Sequence, residues 1–326
     1  MMTELQKKIL DIIQARFPIE AQPYAVVARQ LNNSEEEIIA AVKQLKDGGI
    51  VRRIAAIFEA ARLGYVSTLA AAQVPAEKLE TFVADVNALS GVSHNYGRRH
   101  KYNVWFTLIL PGMALIEQTL ENLRQKHGIE AIYSLPAEKL FKIRVDFDVT
   151  GLKDETTSTP APARAQAETA KLSDTQIALV RQLQEDLAVA ARPFDMVAQA
   201  TGLDVAAVLE QINQWKDNGT IRRFGASIRH QRIGFTYNGM VVFELEPERI
   251  EAAGKVLADY KEVSHCYQRP TAPGWPYNLF AMTHGKSEEQ LREVVERMVE
   301  QIKPKRYDLL LSTAEYKKNN VKYFIG

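Results

Sequence analysis

The chain has 326 residues, of which 46% are apolar and 25% charged, with 41 Lys and Arg against 40 Asp and Glu. This length exceeds what a single hydrophobic core usually organises, and the balanced charge excludes a strongly basic chain that binds nucleic acid through its overall field. The single cysteine, Cys266, excludes an intramolecular disulfide and a Cys-rich metal site. We find no signal peptide and no apolar run of membrane-spanning length, so we expect a cytoplasmic protein with no membrane partner.

The first 60 residues have the pattern of a helix-turn-helix domain. Apolar residues recur at helical spacing, which predicts helices over residues 5–15, 24–31 and 34–47. Ser34 and Glu37 have the spacing of a capping box, which indicates a helix start. The basic pair Arg52 and Arg53 follows in a short segment that we interpret as the wing of this domain.

Residues 61–149 alternate between strand and helix patterns. The patterns predict strands over 65–73, 92–98, 102–110 and 142–147, and helices over 76–89 and 113–127. The order β-α-β-β-α-β is that of a ferredoxin-like sheet.

The second half of the chain repeats the first. Pro23-Tyr24 recurs as Pro193-Phe194, and Arg52-Arg53 recurs as Arg222-Arg223 at the same offset. Residues 150–171 are rich in Thr, Ala and Pro, which predicts a linker between the copies. The second copy predicts helices over 173–187, 194–200, 204–217, 248–260 and 287–302, and strands over 235–244, 263–268, 278–283 and 321–325. Ser173 and Gln176 have capping-box spacing at the start of the first of these helices.

These patterns predict an α+β fold in tandem repeat. Each copy consists of a winged helix-turn-helix domain followed by a ferredoxin-like βαββαβ domain. The helix-turn-helix domains occupy residues 1–60 and 172–230, and the ferredoxin-like domains occupy residues 61–149 and 231–326.

The candidate recognition helix of the first copy begins with three glutamates, Glu35, Glu36 and Glu37. An acidic first turn repels the phosphates that supply most non-specific DNA affinity, so we expect no DNA partner. These acids also complement the helix dipole, which is a sufficient structural reason for them. The arginine pairs admit three interpretations, namely contacts to a DNA backbone, solvated surface charge or anion ligands. The four arginines are Arg52, Arg53, Arg222 and Arg223.

The predicted hairpins of both copies carry a His-x-Tyr-x-Arg pattern. Side chains two positions apart on a strand point the same way, so each pattern places an imidazole, a phenol and a guanidinium on one face. Arginine can hold carboxylates and tyrosine can lie against a ring, which suits a polyanionic aromatic ligand. A lone histidine is more often a hydrogen-bonded core or surface group, but repetition favours a site. The six residues are His94, Tyr96 and Arg98 in copy one, and His265, Tyr267 and Arg269 in copy two.

The other conspicuous residues have structural interpretations. The aromatics Trp105, Phe106 and Phe280 are predicted to belong to the sheet core. His127 ends a helix, where its charge is favourable, and the role of His284 stays open. No carboxylates or cysteines accompany the histidines in a zinc-ligand pattern, so we predict no metal site.

The hairpin sequences resemble a known family. Helix-turn-helix followed by β-α-β-β-α-β resembles the Lrp/AsnC regulators over nearly all of both copies. More specifically, the chain resembles the siroheme decarboxylase family, with the two related subunits of that family joined in one chain. The strings that carry this resemblance are His94-Asn95-Tyr96, Arg99-His100, Trp275-Pro276-Tyr277-Asn278, Arg222-Arg223-Phe224-Gly225 and Arg229-His230.

The resemblance implies an activity and a set of site residues. It implies decarboxylation of two acetate side chains of siroheme to give 12,18-didecarboxysiroheme, in the synthesis of haem d1 or in an alternative haem pathway. It implies no added cofactor, because the iron belongs to the substrate. The implied catalytic residues are His94, His100, His230 and His265. The implied substrate-binding residues are Arg52, Arg53, Tyr96, Arg98, Arg99, Arg222, Arg223, Arg229, Tyr267 and Arg269.

The resemblance also implies how the copies assemble. The two copies are expected to pair as an intrachain pseudo-dimer, with further association into a homodimer left open. Copy two has an insertion where copy one has His100, so the two sites are expected to be unequal. Two other functions remain open on sequence grounds. One is a DNA-binding regulator that senses a small molecule or tetrapyrrole, and the other is a non-catalytic haem carrier.

Overall fold

The computed structural model describes residues 2–143, 172–228, 237–319 and 321–325. The first copy contains, in chain order, α1 (Glu4–Ala15), α2 (Pro23–Leu31), α3 (Glu35–Asp47), β1 (Val51–Phe58), β2 (Val66–Gln73), α4 (Leu79–Ala88), β3 (Val92–Arg98), β4 (Val104–Leu110), α5 (Met113–His127), β5 (Ala131–Pro136) and β6 (Lys139–Ile143). The second copy contains α6 (Asp174–Leu183), α7 (Phe194–Thr201), α8 (Val205–Asp217), β7 (Ile221–Ile228), β8 (Tyr237–Glu244), α9 (Pro247–Asp259), β9 (Val263–Gln268), β10 (Leu279–Gly285), α10 (Glu288–Ile302) and β11 (Arg306–Lys318). No helix in these ranges is long and apolar enough to cross a membrane.

The described residues divide into two compact units, and the helix-turn-helix elements of both copies form the first of them. Strands β1 and β7 pair antiparallel, with Ala55 opposite Gly225, so the two wings form one small sheet. A Cβ atom on Gly225 would lie 2.4 Å from the carbonyl oxygen of Ile13. Only glycine therefore allows α1 to approach β7 this closely.

The starts of three helices in this unit are fixed by reciprocal side-chain caps. The predicted capping boxes are confirmed at Ser34 with Glu37 and at Ser173 with Gln176, and Thr3 with Gln6 forms another at the start of α1. Each box satisfies backbone N–H groups that have no partner within the helix. The acidic first turn of α3 is therefore also a structural feature of the helix.

The second unit contains the ferredoxin-like domains, and the predicted β-α-β-β-α-β order is confirmed in copy two. In copy one an unpredicted strand, β5, lies between α5 and β6. Their strands form a nine-stranded sheet in the order β5-β2-β4-β3-β11-β8-β10-β9-β6. The final strand of each copy reaches into the other copy. Strand β11 pairs first with β8 and then with β3, and β6 pairs with β9. Backbone hydrogen bonds therefore join the two copies into an intrachain pseudo-dimer.

The prediction for the last strand of copy two is wrong. Residues 321–325 contain no strand, and the strand lies upstream in β11. Tyr323 and Phe324 instead pack in the first unit, where the Gln184 side chain bonds both the N–H and the carbonyl of Tyr323. In copy one the predicted strand over 142–147 begins earlier, at β6. Residues 144–147 and the predicted linker over 150–171 lie outside the described part of the chain.

The two faces of the large sheet are covered differently. Helices α4 and α5 cover one face of copy one, and α9 and α10 cover the same face of copy two, where they enclose two apolar clusters. A third apolar cluster lies on the opposite face and combines residues of both copies. Its buried members are Ala71, Tyr102, Trp105, Leu135, Met240, Val242, Trp275, Phe280 and Leu310. The predicted core positions of Trp105, Phe106 and Phe280 are confirmed by their burial.

Candidate active site

Strand alternation determines which face carries the His-x-Tyr-x-Arg patterns. Asn95 on β3 is fully buried and bonds to Asn87 of α4, and Cys266 on β9 is buried in the helix-covered cluster. The residues that alternate with Asn95 and Cys266 therefore project from the other face, where the two copies share their third cluster.

On that face, each pattern forms a ladder of stacked side chains. The rings of His94 and Tyr96 are 6.2 Å apart with 24° between their planes, and the rings of His265 and Tyr267 are 6.3 Å apart with 18°. The guanidinium carbon of each arginine lies over the tyrosine ring of its own ladder, at 5.6 Å in copy one and 4.9 Å in copy two. We call these the copy-one ladder (His94, Tyr96, Arg98) and the copy-two ladder (His265, Tyr267, Arg269).

The guanidinium of Arg98 is almost completely buried, and 6% of the residue is exposed. It donates to the Leu310 carbonyl at 3.1 Å and to the Ser312 hydroxyl at 2.8 Å, which are neutral acceptors. Within the described residues no carboxylate pairs with it, and burial lowers the pKa of Arg98 to about 10. At neutral pH the site therefore holds a buried cation whose hydrogen-bond partners carry no charge. In copy two, Arg269 donates to the Leu135 carbonyl at 2.5 Å.

The histidines of the two ladders have matching hydrogen bonds. Nδ1 of His94 lies 2.9 Å from the hydroxyl of Ser93, and Nδ1 of His265 lies 2.9 Å from the hydroxyl of Ser264. Burial lowers the pKa of both imidazoles, and that of His265 falls to about 4. The charge of His94 contributes to the lowering at His265, so the two ladders lie within electrostatic reach of each other.

A second imidazole extends the hydrogen bonds of copy two. Nε2 of His284 lies 2.6 Å from the Ser264 hydroxyl, and its Nδ1 lies 2.6 Å from the amide oxygen of Asn238. His284 and Asn238 are opposite each other in the pairing of β10 with β8. The sequence alone does not predict a role for His284, because its hydrogen-bond partners depend on the register of these strands.

His100 lies in an aromatic environment to which both copies contribute. Its ring stacks on Tyr102 at 5.6 Å and meets the edge of Trp275 at 5.6 Å. Its Nδ1 accepts the backbone N–H of Tyr102 at 3.0 Å, and its Nε2 lies 3.5 Å from the Asp308 carboxylate. Burial lowers the pKa of His100, against the opposing effect of Asp308. Sequence reasoning missed Trp275 and Asp308, because their proximity to His100 depends on how the copies pack.

The arginine pairs lie in the first unit, while the ladders lie in the second. Arg53 donates to the Gln184 carbonyl at 3.0 Å, and Arg223 donates to the Gln14 carbonyl at 3.3 Å. Arg222 lies 3.5 Å from a Glu59 oxygen, and Arg52 is exposed. The structure thus gives Arg53 and Arg223 contacts inside the helix-turn-helix unit.

The remaining predicted residues have different environments. Arg99 has 69% of its side chain exposed and lies 3.9 Å from Glu288. Arg229 and His230 lie outside the described residues. His127, read as a helix-end charge, lies 2.6 Å from the Asp85 carboxylate. No group of three or more metal-ligand side chains occurs among the residues that the structure describes.

Family models match both kinds of domain. Residues 62–142 and 232–317 match the AsnC-like ligand binding domain, and residues 6–52 and 176–222 match the siroheme decarboxylase NirDL-like HTH domain. A siroheme decarboxylase from Hydrogenobacter thermophilus is 35% identical over 324 residues, covering 97% of this chain and 94% of the relative. The chain belongs to the siroheme decarboxylase family. Siroheme decarboxylases are carboxy-lyases, so the family is one of enzymes.

Comparisons with a solved structure and with separate subunits support the same assignment. The crystal structure of the siroheme decarboxylase NirDL in complex with an iron-uroporphyrin III analogue superposes with a TM-score of 0.79 at 32% identity, covering 99% of this chain and 95% of that one. The siroheme decarboxylase alpha subunit of Desulfovibrio desulfuricans is 49% identical over 146 residues, covering 45% of this chain and 84% of the subunit. One subunit of that relative therefore corresponds to slightly less than half of this chain.

Proposed function

We propose that this chain removes carbon dioxide from two acetate side chains of siroheme and releases 12,18-didecarboxysiroheme. The observation that carries the proposal is the buried guanidinium of Arg98, which meets only neutral acceptors among the described residues. Burying an uncompensated charge is costly, so a site that maintains one is prepared for an anion. A tetrapyrrole with carboxylate side chains supplies such anions.

The rest of the ladder face suits the body of such a ligand. Tyr96 and Tyr267 place phenol groups on this face, and the arginines that lie over their rings offer planar donors for carboxylates. A solved relative was crystallised with an iron-uroporphyrin III analogue, which is an iron macrocycle. We therefore assign the substrate-binding role in the sheet unit to both ladders, with Arg99 at their exposed edge.

Decarboxylation requires a place for the electrons of the broken bond. The bond between the acetate methylene and its carboxylate carbon breaks, carbon dioxide leaves, and the electron pair passes into the pyrrole ring. One proton then returns to the methylene carbon and completes a methyl group. Histidine can deliver that proton near neutral pH. We assign proton donation to His100 or His230. We assign to His94 and His265 the orientation of the acetate or assistance in the proton transfer.

The two halves of the site are expected to contribute unequally. Both nitrogens of His100 face partners, with the Tyr102 N–H on one side and Asp308 on the other. His100 can donate its Nε2 proton to substrate only by turning that N–H away from Asp308. Copy two has no histidine at this position and instead contributes Trp275, which packs on His100. We therefore propose that Trp275 and Asp308 position His100 for copy-one chemistry.

The helix-turn-helix unit is proposed to have a role other than reading DNA. The first turn of α3 carries Glu35, Glu36 and Glu37, which repel phosphates. Arg52 and Arg222 are exposed and remain candidate ligands for substrate carboxylates. A fluorescence anisotropy titration with labelled duplex at low salt should show no binding, and salt-dependent binding would support a regulator instead.

Three further parts of the proposal concern cofactor, pathway and assembly. We propose that no added cofactor takes part and that iron enters as part of siroheme. The product is proposed to feed haem d1 synthesis or an alternative haem pathway, and the reaction is proposed to occur in the cytoplasm. Because one chain already pairs two sheet domains, we propose that a single chain is sufficient for activity, whether or not it forms a homodimer.

The test is an anaerobic incubation of siroheme with the purified chain, followed by chromatography and mass spectrometry. We expect a product that has lost the mass of two carbon dioxide molecules. Tight binding with recovery of unchanged siroheme would identify a carrier and contradict the proposal. Alanine variants of His94, His100, His230 and His265 should each slow turnover, and full activity in all four would contradict the proton chemistry.

A further inference from the structure

In each hydrogen bond around His284, the chemistry of the two groups determines which atom donates and which accepts. An amide oxygen only accepts, so Nδ1 of His284, which lies 2.6 Å from the Asn238 amide oxygen, carries the proton. In a neutral imidazole the other nitrogen, Nε2, is then an acceptor. It accepts the Ser264 hydroxyl proton, because the oxygen of Ser264 lies 2.6 Å away.

The same reasoning determines which nitrogen of the ladder histidine, His265, carries the proton. Once the Ser264 hydroxyl has donated its only proton to His284, its oxygen can only accept. The nitrogen 2.9 Å away on the other side is Nδ1 of His265, which must therefore donate. The competing acceptor for the hydroxyl, the Met282 carbonyl, lies 3.4 Å away and is much the weaker partner. Neutral His265 is thus held with its proton on Nδ1 and a lone pair on Nε2.

The described residues of copy one contain no such chain of groups. His94 has the matching contact with Ser93 at 2.9 Å, but the structure shows no second imidazole bonded to that hydroxyl among the described residues. The hydroxyl of Ser93 can rotate and either donate to His94 or accept from it. The two ladder histidines therefore occupy matching positions, although only His265 has a defined tautomer.

We propose that Asn238, His284 and Ser264 are positioning residues that hold His265 as the Nδ1–H tautomer, so that copy two supplies the acid/base imidazole of the two ladders. This inference rests on the proposed decarboxylation for its catalytic meaning, but not for the tautomer itself. An imidazole whose unprotonated nitrogen is always Nε2 accepts a proton at that atom and donates it from the same atom. His94, with no fixed tautomer, is assigned to orienting the substrate.

The chain of groups orients His265 and does not conduct protons to it. The amide of Asn238, which accepts from His284, neither gains nor loses a proton in the physiological range. When His265 takes up a proton on Nε2, its Nδ1–H bond to Ser264 is unchanged, so the orientation persists in both protonation states. The proton for each new methyl group must therefore reach Nε2 from solvent or substrate.

The test is histidine tautomer measurement by long-range ¹H–¹⁵N correlation NMR on the full chain, with ¹⁵N-labelled histidine at neutral pH and no siroheme. We expect His265 in the Nδ1–H form. In Ser264→Ala we expect a shift towards the Nε2–H form that free histidine prefers. Ser93→Ala is the matched control in copy one and should leave the His265 signals unchanged. His265 in the Nε2–H form in the unmodified protein, or no response to Ser264→Ala, would overturn the inference.

A second pair of variants acts at the far end of the chain of groups. Asn238→Asp places a carboxylate beside Nδ1 of His284 and favours the doubly protonated form of His284, whose Nε2 donates to Ser264. The Ser264 hydroxyl is then available to donate to His265, so we expect His265 to shift away from the Nδ1–H form. Asn238→Leu removes the acceptor, so we expect the two tautomers to mix. His265 signals that are unchanged in both variants would also contradict the inference. Circular dichroism of each variant establishes that it has folded.

Activity provides a separate readout. We expect Ser264→Ala to lower kcat for siroheme by about tenfold or more and to move the acidic limb of its pH profile, with little change in KM. An unchanged pH profile together with the expected NMR shift would leave the tautomer established and place the acid/base role elsewhere. If the unmodified protein shows no decarboxylation at all, the proposed function fails while the NMR result stands.

Discussion

Replacing Arg98 by methionine should have opposite effects on folding stability and on siroheme binding. Methionine has a similar length but carries no charge and no donors. In the folded protein Arg98 donates to Leu310 and Ser312, and each neutral hydrogen bond contributes about 1 kcal/mol. Against this, removing a buried cation avoids a desolvation penalty of several kcal/mol. We therefore expect the free energy of unfolding to stay level or to rise by up to about 2 kcal/mol.

Ligand binding should change in the opposite direction. A charge-assisted hydrogen bond to a carboxylate is worth about 1.5–3 kcal/mol, so losing it should weaken siroheme binding roughly 10- to 150-fold. Stability is measured by urea denaturation, and affinity by anaerobic absorbance titration with siroheme. Arg124→Met is the control, because Arg124 is paired with Glu121 on the surface of α5. Its loss should leave both stability and siroheme binding nearly unchanged, because an exposed ion pair contributes little. A marked fall in stability for Arg98→Met with unchanged affinity would refute the assignment of Arg98 to substrate binding.

Three other substitutions test the structure around the site. Burial lowers the pKa of His265 from 6.5 to about 4, so the unfolded chain binds this proton more readily and the free energy of unfolding falls as the pH decreases from about 6.5 to about 4. In His265→Gln, denaturation curves across this pH range should lack on the order of 3 kcal/mol of that fall, and an unchanged pH dependence would contradict the prediction. Trp275 is 1% exposed, its ring centroid lies 5.1 Å from that of Trp105, and it also packs on His100. Trp275→Ala should therefore lower the free energy of unfolding by about 3–5 kcal/mol and shift the NMR resonances of His100, and unshifted resonances would contradict the shared environment. Gly225→Ala would place a methyl group 2.4 Å from a backbone oxygen of α1, so calorimetry should show that the helix-turn-helix unit loses about 2 kcal/mol or more of folding free energy. Gly48→Ala is the milder control, because the nearest atom to its methyl group would lie 3.1 Å away, and equal losses in the two variants would contradict the prediction.

The sequence predicted those parts of the structure that depend on local periodicity. The two-residue alternation of strands was sufficient to place His94, Tyr96 and Arg98 on one face, because that geometry does not depend on tertiary context. The capping boxes were readable for the same reason. The repeat also predicted the same order of elements in both copies, which the structure confirms except at the end, where β5 and β6 of copy one correspond to the single strand β11 of copy two.

Other features depend on pairings between distant parts of the chain. Residues 321–325 have a strand-like apolar composition, but they pack on α6, and β11 forms the strand instead. Trp275 lies in a loop of copy two yet packs on His100 of copy one. His284 acquires its meaning only through the register of β8 and β10. Periodicity carries no information on such contacts, which are decided by strand order and register.

A single turnover with siroheme in D₂O tests the proton chemistry most directly. The new methyl hydrogens should come from exchangeable groups of the site, so the doubly decarboxylated product should carry two deuterium atoms, one for each acetate lost. Mass spectrometry of the anaerobic product measures this. Recovery of unchanged siroheme, or a decarboxylated product without deuterium, would contradict proton delivery by the histidines of the site.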